Sequence, residues 1–380
     1  MKVLHVITGL GAGGAEQQLR LLLRHMPDSH DVVTLTNPGQ VAEGLRRDGV
    51  RVAHLDMAGN RDQRALPRLV RLIRAGRYDI VHTHLYRACL YGRIAARVAG
   101  VRAVVATEHS LGDGQIEGRP LTRGVRALYL AGEKLGRTTI AVSPAVAERL
   151  HLWGVAPQRV RVVPNGVDVA RFAYDPAARA RTRAALGLPP DAFVIGGVGR
   201  LVPGKRFDVL IAALRELPDD VRLLLVGTGP EQELLGQAAL RAGVLDRVVF
   251  AGERPHTAPD LPGAAVDLPA LMSATDVLAS PSVDEAFGLA VVEALAAGLP
   301  VLYVTCPAVD DLPPGTAARA VRVPCDPASF VREIRRIRTE PAGARPPSEA
   351  ALHYSIARSA ALHHEVYATA VGAPTSGVST

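Results

Sequence analysis

The sequence predicts an α/β protein built from two Rossmann-like domains, each a doubly wound parallel sheet, facing a central cleft. Three observations carry this prediction. Short β-branched runs alternate with helical patterns, the mark of parallel βα units. The alternation pauses at the turn-rich VPNGVD of residues 163–168 and resumes near Ala192. Each of the two series opens with a strand, a glycine-rich loop and a helix. A length of 380 residues agrees with two to three domains.

In the first series, residues 2–8 (KVLHVIT) form a strand and a helix follows from about Ala15. Residues 31–36, 51–55, 79–83, 102–107 and 138–142 are further strands, with helices such as 65–75 and 87–98 between them. A polar Ala/Arg/Pro-rich stretch over 169–190 separates this 1–168 domain from the next. The second domain, 191–347, carries strands at 192–198, 221–226, 247–250, 276–279, 300–304 and 320–323. A long helix, about 348–371, crosses back to the first domain, and 372–380 is a Gly/Pro/Ser/Thr tail without order. In such sheets ligands bind at the carboxyl ends of the strands, so the loops there should hold the chemistry.

Composition removes several function classes. Aromatic residues are only 4% of the chain, too few for the stacking platforms of single-stranded nucleic-acid binders, so no nucleic-acid partner is expected. Cys89, Cys306 and Cys325 form no CxxC pair, which excludes a disulfide scaffold or zinc ribbon and fits a reducing compartment. The amino terminus makes a poor signal peptide. The longest apolar stretch, 286–304, holds Glu293, Pro300 and two glycines, which a membrane span rarely keeps. These features predict a cytoplasmic protein. Charge is uneven, with 24 bases against 14 acids up to Asp168 and 20 against 23 beyond it.

Gly9-Leu10-Gly11-Ala12-Gly13-Gly14 fits G-x-G-x-x-G between a strand and a helix. A dinucleotide site would also need an acid ending the second strand, where Thr34-Leu35-Thr36-Asn37 stands. The loop is thus open to three readings: a nicotinamide site, a plain turn, or a backbone that lets a phosphate or sugar approach. Gly197-Val198-Gly199-Arg200 to Gly204-Lys205-Arg206 occupies the corresponding place in the second domain. Two bases beside a glycine turn at a helix start make an anion site, or else a solvated basic turn. It is no P-loop, because Arg206 stands where Ser or Thr is required. Glu285 and Glu293 are eight apart across a loop-to-helix transition near Gly288. Glu293 falls among apolar neighbours, where a carboxylate is costly unless it accepts hydrogen bonds from sugar hydroxyls or sits in a core ion pair.

The order GGAE, TEHS (107–110), VPNGVD, GVGRLVPGK, LLLVGTGPE and EAFGLAVVEALAAGLPV resembles the retaining GT-B glycosyltransferases of glycosyltransferase family 4, over residues 1–304 and again in the terminal helix. The resemblance implies transfer of a sugar from a nucleotide-diphosphate sugar, a UDP-sugar such as UDP-GlcNAc or UDP-glucose, to an acceptor hydroxyl with retention. It implies that Arg200 and Lys205 hold the diphosphate, Glu293 the ribose, and Glu285 the sugar hydroxyls. Backbone N–H groups at Phe287, Gly288 and Leu289 would lie near sugar and phosphates. Gly13 and Gly14 would approach the donor, and His109 would contact the transferred sugar.

Two departures stand out. Family members often carry a glycine-rich turn and an acid where this chain reads Thr305-Cys306-Pro307-Ala308-Val309-Asp310-Asp311, and 253–267 is longer than usual. No Asp-x-Asp triplet occurs, so no metal and no other cofactor is expected; cationic side chains and helix dipoles would take the metal's role. Expected acceptors are a lipid-linked glycan, a polysaccharide precursor or a small natural product. Arginines at 61, 64, 68, 71, 74 and 77 recur at helical spacing. They form either a solvated face or a patch docking the protein peripherally on the anionic inner face of the membrane. Three other functions compete with transfer: UDP-sugar epimerisation or hydrolysis, NAD-dependent dehydrogenation, and non-catalytic sensing of a nucleotide sugar.

Overall fold

The computed structural model describes residues 1–11, 13–59, 62, 64–112, 115–116, 119–254, 266–341 and 343–372. It divides into two units, Met1–Gly166 with Ile356–Thr380, and Val167–Ser355.

The first unit holds β1 (Lys2–Ile7), β2 (Ser29–Thr34), β3 (Arg51–His54), β4 (Ile80–His84) and β5 (Ala103–Glu108). A short antiparallel pair follows, β6 (Gln115–Ile116) and β7 (Arg119–Pro120), then β8 (Thr138–Ala141) and β9 (Val160–Val162). The main sheet is parallel in the order β3-β2-β1-β4-β5-β8-β9. Alternation along β1 sends Leu4 and Val6 to one face, under Leu69, Val70 and Ile73 of helix Ala65–Gly76. Val3 faces the other way, with Ile356, Val366 and Tyr367 of helix Ile356–Val371. Gly166 is small because that helix leans on it: a Cβ there would stand 2.5 Å from the Ile356 Cα.

The second unit holds β10 (Phe193–Val198), β11 (Val221–Val226), β12 (Val248–Gly252), β13 (Val277–Ser280), β14 (Val301–Tyr303) and β15 (Ala320–Arg322). Its sheet is parallel in the order β12-β11-β10-β13-β14-β15.

Two boundaries differ from the sequence reading. The stretch 169–190 is not a bare connector but part of the second unit, carrying helix Pro176–Ala185 capped by Asp175. Arg179 and Arg183 of that helix both grip Asp276, at 2.8 and 2.7 Å, which ties it to the start of β13. The terminal helix is broken into Glu349–His353 and Ile356–Val371, and only the second piece belongs to the first unit. The break has a local cause, since the Tyr354 carbonyl accepts from Val167 N–H at 2.8 Å instead of continuing the helical ladder. Residues 373–380 of the expected tail and 255–265 of the long loop lie outside the described residues.

Candidate active site

In the second sheet chain order reverses between β10 and β13, the place where open parallel sheets bind ligands. The loop after β10 turns on Gly199, at φ +151, whose N–H donates to the Val226 carbonyl at 3.0 Å. A Cβ on Gly227 would strike the Gly199 carbonyl, so the loops after β10 and β11 need glycine to approach. The loop after β13 is fastened to the first by one carbonyl. Gly204 O accepts from Ser282 Oγ at 3.3 Å and from Val283 N–H at 3.2 Å.

This fastening brings Lys205 and Glu285 together as an ion pair. The two side chains keep 24% and 15% of their surface, so the pair sits half-buried at the loop junction. The Lys205 stem lies over Gly199, its Cε 3.3 Å from where a Cβ would stand. Arg200 is exposed and, among the described residues, forms no ion pair. Gly288, at φ +99, caps helix Leu289–Ala296, and a Cβ there would strike Cys306 Sγ. The first-turn amides of this helix have no intrahelical acceptors, and Glu293 is buried within the same helix. Phe287 presents backbone rather than ring: its side chain is buried edge-on against Tyr354, centroids 5.1 Å apart. Where a glycine-rich turn was missed in the sequence, Cys306 starts a short helix, Pro307–Asp310, and Ala308 N–H donates to the Phe287 carbonyl at 2.9 Å.

The other candidates lie in the first unit, whose sheet reverses between β1 and β4. Gly13 caps helix Gly14–Leu23 after β1, and a Cβ there would strike the Glu16 carboxylate. After β4, Leu85 sits at φ +72, a left-handed value that costs a non-glycine residue on the order of 1–3 kcal/mol. His109 follows β5, and burial pushes its imidazole down to about 3. The sequence reading passed over the rings behind it, His5, His82 and His84, all buried. A signal for them was available: His82 and His84 alternate onto one face of β4, and His5 pairs with His82 across β1.

The family model described as Glycosyltransferase Family 4 matches residues 12–171, and that described as Glycosyl transferases group 1 matches residues 178–353. A 2-deoxystreptamine glucosyltransferase from Streptomyces kanamyceticus is 33% identical over 294 residues, 73% of each chain. The chain belongs to the GT-B glycosyltransferases. A D-inositol 3-phosphate glycosyltransferase from Mycobacterium bovis is 35% identical over 243 residues, 60% of this chain but only 47% of that relative. Among solved structures, Anabaena HepE in complex with UDP and glucose aligns with a TM-score of 0.82 at 23% identity, over 97% of this glycosyltransferase and all of HepE. Sucrose-phosphate synthase from Thermosynechococcus elongatus aligns at 0.75 and 22%, over 97% and 99%. At these identities the structures establish the GT-B fold. Among the described residues no helix is long and apolar enough to cross a membrane.

Proposed function

We propose that this family 4 glycosyltransferase moves glucose from UDP-glucose to a hydroxyl of a small cyclic polyol, with retention at the anomeric carbon and without a metal. The observation that carries the donor half is the Lys205–Glu285 pair, held by two stapled loops where the second sheet reverses. A cation and a hydrogen-bond acceptor side by side suit the two ends of a sugar diphosphate: Lys205, with Arg200, takes the phosphates, and Glu285 accepts from sugar hydroxyls. The first-turn amides at Gly288 and Leu289 add dipoles of the right sign. Glu293 takes the ribose hydroxyls, which donate to its carboxylate. The same reading assigns His109 to the transferred sugar and Gly13 and Gly14 to the donor.

The choice of UDP and glucose is supported by HepE, solved with UDP and with UDP-glucose, and by the glucosyltransferase from Streptomyces. The two relatives named for their acceptors act on 2-deoxystreptamine and inositol 3-phosphate, both six-membered carbocyclic polyols, which supports that acceptor class. In the reaction the bond from the anomeric carbon to phosphate breaks as the acceptor oxygen bonds to the same face. The acceptor proton passes to the departing diphosphate, whose charge Lys205 and Arg200 stabilise.

The test is a screen of UDP-, GDP- and ADP-glucose and UDP-GlcNAc, with inositol, inositol 3-phosphate and 2-deoxystreptamine as acceptors, the product's anomeric configuration being read by NMR. An α-linked glucoside from UDP-glucose is expected. Free sugar with no glycoside from any acceptor would make the protein a hydrolase or epimerase instead, and tight binding of NADH but not UDP in calorimetry would make it a dehydrogenase.

A further inference from the structure

Four imidazoles, His109 and three behind it, stand in single file across the core of the first unit. His109 Nε2 meets His84 Nδ1 at 3.1 Å, His84 Nε2 meets His5 Nδ1 at 3.0 Å, and His5 Nε2 meets His30 Nδ1 at 3.1 Å. Every link joins Nε2 of one ring to Nδ1 of the next, so the file has one polarity from end to end. The two nitrogens left over, His109 Nδ1 and His30 Nε2, are buried and have no hydrogen-bond partner among the described residues. The file crosses the adjacent strands β2, β1, β4 and β5 while advancing toward their carboxyl ends: His30 is the second residue of β2, and His109 follows the last residue of β5. Its neighbours are engaged elsewhere. His82 spends its nitrogens on the Tyr367 and Thr107 hydroxyls, at 2.7 Å each, and His363 Nδ1 bonds the Ser359 carbonyl at 2.8 Å.

Burial pushes all four rings of the file below the ordinary imidazole range, so each is neutral near pH 7. A neutral imidazole has one N–H and one lone pair. Three head-to-tail links are then satisfied only when all four rings carry their proton on the same type of nitrogen. One ring out of step would face two N–H groups, or two lone pairs, at about 3 Å in a buried site, which costs about 1–3 kcal/mol.

We propose that His30, His5, His84 and His109 form a proton relay that sets the protonated nitrogen of His109 from the amino-terminal edge of the sheet. When a water molecule reaches His30 Nε2 and gives it a proton, His30 Nδ1–H passes to His5 Nε2. His5 Nδ1–H then moves to His84 Nε2, His84 Nδ1–H moves to His109 Nε2, and the proton on His109 Nδ1 passes to a second water at that end. One proton enters and one leaves, every ring stays neutral, and the file reverses from Nδ1–H to Nε2–H until a proton returns. The relay belongs to the first unit alone and is independent of the donor assignment.

The experiment is tautomer assignment of the full-length, 15N-histidine-labelled protein by long-range proton–nitrogen NMR. In the unmodified protein the four rings are expected to share one tautomer, and a mixed set overturns the relay without any variant. His30→Asp can only accept, so His5, His84 and His109 should all hold Nε2–H; His30→Lys can only donate, so all three should hold Nδ1–H. The His109 tautomer should therefore invert between the two variants, and His5→Phe should abolish that dependence. The same His109 tautomer in both His30 variants overturns the relay. So does a stoichiometric metal in the purified protein, because His5, His82 and His84 offer nitrogens within 4.8 Å of one another that an ion would occupy instead.

Discussion

Acidification should unfold this protein at an unusually high pH. His5, His82 and His84 are driven well below the ordinary 6.5, by burial first and by neighbouring imidazoles second. Burial first and the neighbouring His363 second take His109 to about 3, and burial takes His363 to about 4. With His30, which burial takes to about 4, these six rings are neutral in the native state at pH 5.5, whereas in the unfolded chain each binds a proton below 6.5. The unfolded state therefore holds more protons, and stability falls as pH drops through 6.5. One pH unit below that value costs about 1.4 kcal/mol per ring, and about 8 kcal/mol for the six together. A loss of that size matches the whole stability of an ordinary domain, about 5–15 kcal/mol. Most carboxylates do not yet contribute there. Asp28, for example, is raised by burial but more than compensated by bonds from His364 and the amino terminus, so its contribution is lost only below the ordinary carboxylate range. Urea unfolding followed by far-UV circular dichroism between pH 7.5 and 5.5 gives the slope directly, which near pH 5.5 should correspond to between about five and six protons taken up on unfolding. His363→Gln should remove about one of these protons. A slope of one proton or less, at constant m, would refute the reasoning, because the rings would then be charged or solvated in the native state.

Lys205→Ala and Arg200→Ala should each lower kcat about 10²–10³-fold, or 2–4 kcal/mol, while far-UV dichroism stays native; near-normal turnover of both on UDP-glucose would remove them from the diphosphate site. On the proposed mechanism, in which cations and helix dipoles carry the leaving-group charge, glucosyl transfer should survive excess EDTA; complete loss that magnesium restores would reverse this assignment. On helix Ala65–Gly76 and its amino-terminal flank, Arg64, Arg71 and Arg74 are exposed and Arg68 is half-buried, on a face away from Leu69, Val70 and Ile73. At about 1 kcal/mol per base near an anionic surface, the protein should co-sediment with phosphatidylserine but not phosphatidylcholine vesicles. Salt and Arg64/Arg68/Arg71/Arg74→Gln should both weaken that binding, and equal recovery of both proteins in the supernatant would leave the stripe a solvated face.

How much of this was legible in the sequence depended on whether the signal was local. Strand β1 reads as KVLHVI because a strand buried on both faces is apolar at most positions, and β5, β10, β11, β13 and β14 declare themselves the same way, whereas β2 and β4 are legible from their β-branched residues although SHDVVT and IVHTH carry polar letters. Strand β9 was passed over, because VRV is three residues long, and its Arg161 and Val162 are exposed at the sheet edge. The broken terminal helix was also beyond reach, since Val167 takes the Tyr354 carbonyl from nearly two hundred residues away. The Lys205 and Glu285 loops could each be located, but nothing in their spacing of eighty residues says that they pair. That follows from strand order, which places β13 beside β10 and lets Gly204 accept from Ser282.

The histidines carry the same lesson further. A histidine in a strand is an ambiguous letter, polar enough to face solvent and small enough to bury. One ring buried without a hydroxyl, a carbonyl or a second imidazole beside it leaves a donor or an acceptor without a partner, which costs about 1–3 kcal/mol. Several rings on adjacent parallel strands solve one another's problem, because each supplies the donor its neighbour lacks. The alternation of His82 and His84, in register with His5, makes that solution available only if the strands are parallel and adjacent. The imidazole file is therefore a property of the fold's topology, and the Lys205–Glu285 pair of the second unit arises by the same route. In each sheet the chain order reverses between two parallel strands, and side chains remote in sequence become neighbours there.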